Sequence, residues 1–428
     1  MVRLRTPAGT RDVLPTEAAE LRVIEDAVRL VFRGFGYGEV VTPTLEYEEV
    51  LALSEEAALL TGFRMLDEHG ELLLLRPDLT TPIARMVAGR LRNGTPPHRI
   101  YSVSNVFRRI SPQRGREIEF RQAGVELLGA EGPEADGEVI AVACRALDSV
   151  GLEGYRVGVG HVELFQALLQ AVNIGVEERR DLLACLVEKD FVGYRLVLDG
   201  LNLGKDDRLA LLDLPEMRGG PEILGKARTL VRSRGMEEAV THLERLAAVL
   251  ETYGYGDRLL FDLGIFRNLE YYTGIVFEFY AAELGATLGG GGRYDNLLAR
   301  FGTPMAAVGF GVGLDRIHAS VLEQGGDVDS GLVLVLMPGA HSRWVKVADL
   351  LRTGGVGVFA LPEETDEEKM FTLARQKEIR LLVEPDPMAQ GEGWMVRDLE
   401  RALESRCFTD QLVEEIRRIS AAGDVGMA

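Results

Sequence analysis

Four consecutive glycines at 289–292 limit what this chain can fold into more than any other feature. A stretch without side chains cannot pack a core of its own. It marks a place where one backbone passes close to another backbone or to a ligand, or where successive amides cradle a phosphate. By itself the run does not choose between these readings, and its neighbours sharpen it. Arg293-Tyr294-Asp295 follows at once, and Arg267-Asn268-Leu269-Glu270-Tyr271-Tyr272-Thr273-Gly274 precedes it by one hairpin length. Strand signals at 274–280 and 286–288 lie between the two.

The rest of the chain predicts a frame around that hairpin. Residues 16–35 read as a helix with Thr16 as its cap. Leu21, Ile24, Val28, Val31 and Phe32 fall on one stripe, and Gly36-Tyr37-Gly38 stops it. Val40-Val41-Thr42 reads as a short strand that lies at a sheet edge or ends at Pro43, because proline cannot donate to a ladder. Leu72 to Leu75 form an apolar strand ending at Arg76-Pro77. Segments 99–108 and 117–128 read as an antiparallel pair joined by a polar, basic loop at 110–116. A helix at 133–150, a strand at 155–159 and a mostly helical stretch to about 250 follow, the last read as an insertion spanning about 165–250. Strands at 259–263 and 307–311 and a helix from about 314 complete a first domain, 1–325. Beyond Gly325-Gly326-Asp327, strands at 332–336, 356–360 and 379–383 alternate with helices at 343–352 and 366–377. That βαβαβ order predicts a small α/β domain with a mostly parallel sheet, 330–428.

Composition removes several function classes. A net charge of -19 argues against a broad, non-specific nucleic-acid surface. Cys144, Cys185 and Cys407 form no CxxC pair and read as buried thiols. Six histidines without ligand spacing predict no metal site, and neither a GxxxxGK[ST] loop nor a GxSxG elbow is present. Nothing points to a cofactor. The N-terminus has no apolar signal core, and no apolar run has the length of a membrane span, so a cytoplasmic location is expected.

Together the motifs resemble those of histidyl-tRNA synthetases. The segment from Arg267 to Gly274 is similar to their Arg-Gly-Leu-Asp-Tyr-Tyr-Thr-Gly element, and that from Gly289 to Asp295 to their Gly-rich Arg-Tyr-Asp element. Val106-Phe107-Arg108, with Pro112 to Arg116 and Glu119-Phe120, resembles the second motif of class II synthetases. The segment from Gly311 to Arg316 resembles the third, and the helix at 16–35 with the strand ending at Pro43 the first, a dimer motif. The resemblance covers most of residues 5–320. It implies an α+β fold with an antiparallel core sheet, and a C-terminal domain standing where a synthetase binds the anticodon. It also implies a pocket in which Asp78 and Thr80 hold an α-ammonium group, and Glu126 with Tyr271 or Tyr272 holds an imidazole. Gln122, Arg108 and Arg267 would line it, with Arg316 as a vestigial phosphate clamp.

The sequence departs from the enzymes in specific places. The second-motif position that holds a nucleotide-binding glutamate is Ile110, which accepts no hydrogen bond. Arg-Pro-Glu-Gly-Thr becomes Arg76-Pro77-Asp78-Leu79-Thr80, and Arg-Gly-Leu-Asp becomes Arg267-Asn268-Leu269-Glu270. The run from Leu75 to Arg85, the segment Gln122 to Glu126 and the segment Gly160 to Phe165 resemble instead the regulatory subunits of ATP phosphoribosyltransferase. That family implies a non-catalytic subunit of histidine biosynthesis. It pairs with a short-form catalytic subunit in a hetero-oligomer, an octamer in the family, forms a homodimer of its own and has histidine as effector. The acidic run Glu363-Glu364-Thr365-Asp366-Glu367-Glu368 repels a phosphate backbone, so tRNA is not expected as a partner. Arg108, Arg267 and Arg316 are all retained, which keeps open the alternative of a divergent histidyl-tRNA synthetase.

Overall fold

The computed structural model describes residues 4–54, 62–109, 117–265, 271–281, 285, 287–326, 328, 334–338, 342–361, 366–377, 379–389 and 393–421. The basic loop with Ile110, the segment from Phe266 to Glu270 with Arg267, Asp327 of the linker, and residues 363–365 of the acidic run lie outside them. The chain divides into two compact units, 1–328 and 329–428.

Among the described residues, nine strands of the first unit form one mixed, mostly antiparallel sheet. Its order is Gly38–Glu39, His98–Phe107, Glu119–Leu128, Ala307–Gly313, Thr287–Arg293, Ile275–Tyr280, Arg156–His161, Leu259–Asp262 and Arg218–Gly219. Only the pairings of Gly38–Glu39 with His98–Phe107 and of Arg156–His161 with Leu259–Asp262 are parallel. Helices cover one face. Helix Pro15–Gly34 lays Ile24, Val28 and Phe32 against Tyr101, Val125 and Phe310, and helix Gly132–Ser149 is buried along most of its length. Each such apolar side chain contributes roughly 1.5–3 kcal/mol on burial. The predicted helical insertion is real and is part of this core: Leu182, Leu198, Leu224 and Leu243 join the same cluster. Its last helix, Arg234–Thr252, packs on Gly132–Ser149 and Val162–Ala171.

Three local expectations change. Thr16 does not cap the first helix. The cap position is Leu14, without a side-chain hydrogen bond, and Pro15 starts the helix with the fixed φ that suits its first turn. The edge strand is Gly38–Glu39, two residues before the β-branched run. Val41 is 80% exposed and Arg76 explains why: its buried guanidinium takes the carbonyls of Thr42 at 2.7 Å and of Asn105 at 2.9 Å, turning the chain off the sheet. The apolar strand Leu72–Leu75 is central to a small three-stranded sheet, with only Leu74 buried.

The second unit has the predicted parallel strands Gly357–Leu361, Leu334–Pro338 and Leu381–Pro385. It adds an antiparallel hairpin, Gly393–Asp398 with Leu403–Phe408, and a last helix, Leu412–Ala421. Val335, Leu381, Trp394 and Ile416 form its own core.

Cys144, Cys185 and Cys407 are free thiols, the first and last buried. No helix of the described residues is long and apolar enough to cross a membrane.

His161 ends the strand Arg156–His161, and its Nδ1 is buried with no hydrogen-bond partner among the described residues. Burial, aided by nearby His242, pushes its pKa from 6.5 down to about 3. In acid the unfolded chain binds a proton here that the folded chain refuses. Stability from this group is complete above pH 6.5 and is lost as the pH falls toward 3, by up to about 1.4 kcal/mol per unit. Urea titrations across this range should show a shallower decline for His161→Gln than for the natural chain, and parallel declines would refute the assignment.

Candidate functional site

On the face of the sheet opposite the helices lies a cavity of about 300 Å³. The glycine strand forms its floor. Thr287–Arg293 is paired on both sides, with Ile275–Tyr280 and with Ala307–Gly313, so the glycine amides serve the ladder and form no phosphate cradle. The glycines are needed for close approach instead. A Cβ at Gly289 would sit 2.1 Å from the Gly311 carbonyl oxygen, and one at Gly291 2.0 Å from that of Gly309.

The facing strand carries the same logic to the side chains. Gly309 is directly opposite Glu126, and a Cβ there would fall 1.7 Å from Glu126 Oε2. A Cβ at Gly311 would fall 2.1 Å from Gln122 Nε2. The missing side chains thus make room for a glutamate and a glutamine to lie flat over the sheet.

Glu126 is buried and is the hub of the site. Thr80 Oγ1 donates to its Oε1 at 2.6 Å, and the Tyr294 hydroxyl donates to its Oε2. Burial beside this carboxylate pushes the Tyr294 phenol well above its ordinary range. Tyr294 stacks on Tyr271 with ring centroids 5.2 Å apart, and Tyr272 meets Tyr271 edge-on at 5.0 Å.

Asp78 is placed by the turn that Arg76 anchors. Its Oδ1 accepts the Thr81 N–H at 2.8 Å at the start of helix Thr80–Met86, while its Oδ2 is buried without a hydrogen-bond partner among the described residues. Burial raises its pKa, opposed by the Thr81 hydrogen bond and the Arg108 charge. Arg108 is held by the Pro77 carbonyl at 2.9 Å and lies over the Phe120 ring at 5.3 Å. Arg316 donates to the Thr287 carbonyl at 2.6 Å.

Of the residues singled out in the sequence, Asp78, Thr80, Arg108, Gln122, Tyr271, Tyr272 and Arg316 all line this cavity. Glu126 does not reach the wall; it stands behind Thr80 and Tyr294 and fixes both. Tyr294 and Phe120 line the wall and were not among the expected contacts. The position of Tyr294, directly after the glycine run, was the available signal. No cluster of metal-ligating side chains occurs among the described residues.

The histidyl-tRNA synthetase family model matches residues 9–317. The ATP phosphoribosyltransferase regulatory subunit of Desulforamulus reducens is 43% identical over 313 residues, 73% of this chain and 78% of that protein. That of Moorella thermoacetica is 42% identical over 318 residues, 73% and 81% of the two chains. The chain belongs to the family of ATP phosphoribosyltransferase regulatory subunits. It carries the histidyl-tRNA synthetase fold as a regulatory, non-catalytic member. A crystal structure from Bacillus halodurans, described as an ATP phosphoribosyltransferase regulatory subunit/histidyl-tRNA synthetase, is 36% identical with a TM-score of 0.78, covering 87% of this chain and 97% of that one. The histidyl-tRNA synthetase of Nostoc shares the fold at a TM-score of 0.84, with 23% identity and coverage of 98% and 100%.

For this regulatory-subunit fold, the floor of the cavity tolerates no side chain at position 309. Gly309→Ala should displace Glu126 and destabilise the protein by about 1–3 kcal/mol. Equal urea midpoints for the variant and the natural chain would show that Glu126 has room to move.

Proposed function

We propose that the cavity is an effector site for histidine and that the chain regulates an ATP phosphoribosyltransferase catalytic subunit. The observation that carries the ligand assignment is the direction of the hydrogen bonds at Glu126. Thr80 and Tyr294 spend their protons on the carboxylate, so what their hydroxyl oxygens retain for a ligand is acceptor capacity. Asp78 lines the same cavity and its Oδ2 has no hydrogen-bond partner among the described residues, so the three residues together suit an α-ammonium group and an imidazole N–H. Tyr271 and Tyr272 offer aromatic faces to a flat ring. Arg108 and Arg316 supply the positive charge that a carboxylate requires.

The regulatory role follows from the names of the relatives. In this reading the chain assembles with a short-form catalytic subunit into a hetero-oligomer, serves the first step of histidine biosynthesis and carries feedback by its end product. Feedback requires histidine to bind two states of the assembly with different affinity. Divergent synthetase activity is the second reading, favoured by the two arginines on the cavity wall.

The deciding assay measures ATP phosphoribosyltransferase activity of the short-form catalytic subunit from the same genome alone, with this chain, and with this chain plus histidine. Activity should need the chain and fall with histidine. Asp78→Asn should keep the activation and require about tenfold more histidine or more, the loss expected when a charge-assisted hydrogen bond goes. The raised pKa adds a signature in pH. An ammonium ligand needs the ionised carboxylate, so as the pH falls through that raised value natural-chain sensitivity declines, and Asp78→Asn lacks this component. A catalytic subunit indifferent to the chain would end the regulatory reading. Equal histidine inhibition with Asp78→Asn would remove the effector from this cavity.

A further inference from the structure

No residue of the helical insertion, among the described residues, lines the cavity. Its last helix is nevertheless joined to the cavity by a buried polar chain on the other face of the sheet. Asp136, fully buried in helix Gly132–Ser149, accepts from Arg293 Nε at 2.9 Å and Nη2 at 2.5 Å. It also accepts from His242 Nε2 at 2.6 Å, and a carboxylate opposite an arginine leaves the imidazole as donor. His242 belongs to helix Arg234–Thr252 and meets the ring of His161 edge-on at 5.4 Å.

Arg293 is the last residue of the glycine strand. Its Nη1 also donates to the Ala130 carbonyl and to Asp295 Oδ1, each at 3.1 Å. The next residue is Tyr294. The two project to opposite faces of the sheet: Arg293 toward Asp136 among the helices, Tyr294 toward Glu126 in the cavity. The backbone between them is held by the Thr273 N–H on the Arg293 carbonyl at 2.7 Å and by the Tyr294 N–H on that of Ala307 at 2.8 Å. Arg293 and Tyr294 thus share one planar peptide unit, anchored on one face by the guanidinium and on the other by the phenol, so the fit of each anchor bears on the backbone that carries the other.

We propose that Asp136 and His242 are positioning residues of the cavity. They set the pose of Tyr294, and through it Glu126 and Thr80, without touching a ligand. The effect on ligand affinity rests on the reading of the cavity as a histidine site; the effect on Tyr294 does not. A buried arginine and aspartate hold their geometry only when their hydrogen bonds are complete, and His242 supplies the bond that comes from the insertion. The insertion thereby acquires an energetic connection to a site it never touches.

The test compares His242→Leu, which removes the donor, with His242→Gln, whose amide nitrogen replaces Nε2. Arg245→Ala is the control: it breaks the exposed 2.7 Å pair with Glu134 between the same two helices and leaves the buried chain alone. Two quantities are read: the ¹³Cζ resonance of Tyr294 in the ligand-free protein, assigned with Tyr294→Phe, and histidine affinity by calorimetry. His242→Leu should move the resonance and weaken histidine by about three- to thirtyfold. His242→Gln should restore both, and Arg245→Ala should leave both unchanged. Should His242→Leu not fold, His242→Asn, whose shorter amide does not reach Asp136, takes its place. An unmoved resonance in a folded donor-less variant overturns the proposal, as does an equal effect of Arg245→Ala. A natural chain that binds no histidine defeats the reading of the cavity, while the resonance still decides the positioning.

Discussion

The site depends on a carboxylate that two hydroxyls hold flat against a sheet. Glu126 can lie there because Gly309 opposite has no side chain, and the adjoining glycine strand can close up because its own side chains are missing too. Burying a carboxylate is costly unless donors satisfy it. Thr80 and Tyr294 do so, and in doing so they fix which atoms face the cavity. Composition of the floor, burial of the glutamate and acceptor character of the wall are thus one constraint seen at three levels.

Much of this frame is legible in the sequence because it rests on periodicity. The apolar stripe of the first helix, the antiparallel pair at 99–128 and the alternation of strand and helix after residue 330 are all local patterns. What was not legible depends on partners distant in sequence. The run from Val40 to Thr42 has strand propensity, but the grip of Arg76 on the Thr42 carbonyl pulls it away from the sheet. The glycine run reads equally as a phosphate cradle or a tight ladder until the strands on both sides are known. Glu126 could be assigned to the site but not to its depth, since that is set by Gly309 at a separation no pattern reveals. The hairpin of Gly393–Asp398 and Leu403–Phe408 follows the polar, proline-containing stretch after Leu381–Pro385 and has no periodic lead-in.

The cavity retains features of a synthetase and lacks one of its supports. Arg108 and Arg316 line it together with Tyr271, Tyr272 and Tyr294. Ile110 stands where the resembling synthetases carry a nucleotide-binding acceptor, and Asp78-Leu79 stands where they carry Glu-Gly, so the sequence departs from the enzymes in both segments. A synthetase-like fold can support ligand recognition without the reaction, because binding needs acceptors in place and chemistry needs an oriented phosphate as well.

The most direct measurement of that account is histidine-dependent exchange of pyrophosphate into ATP by the purified chain, run beside an active histidyl-tRNA synthetase. The account predicts exchange by the synthetase and none above background by this chain at saturating histidine. Robust exchange by this chain would mean that the cavity activates its ligand, and the description of a recognition site without chemistry would be wrong.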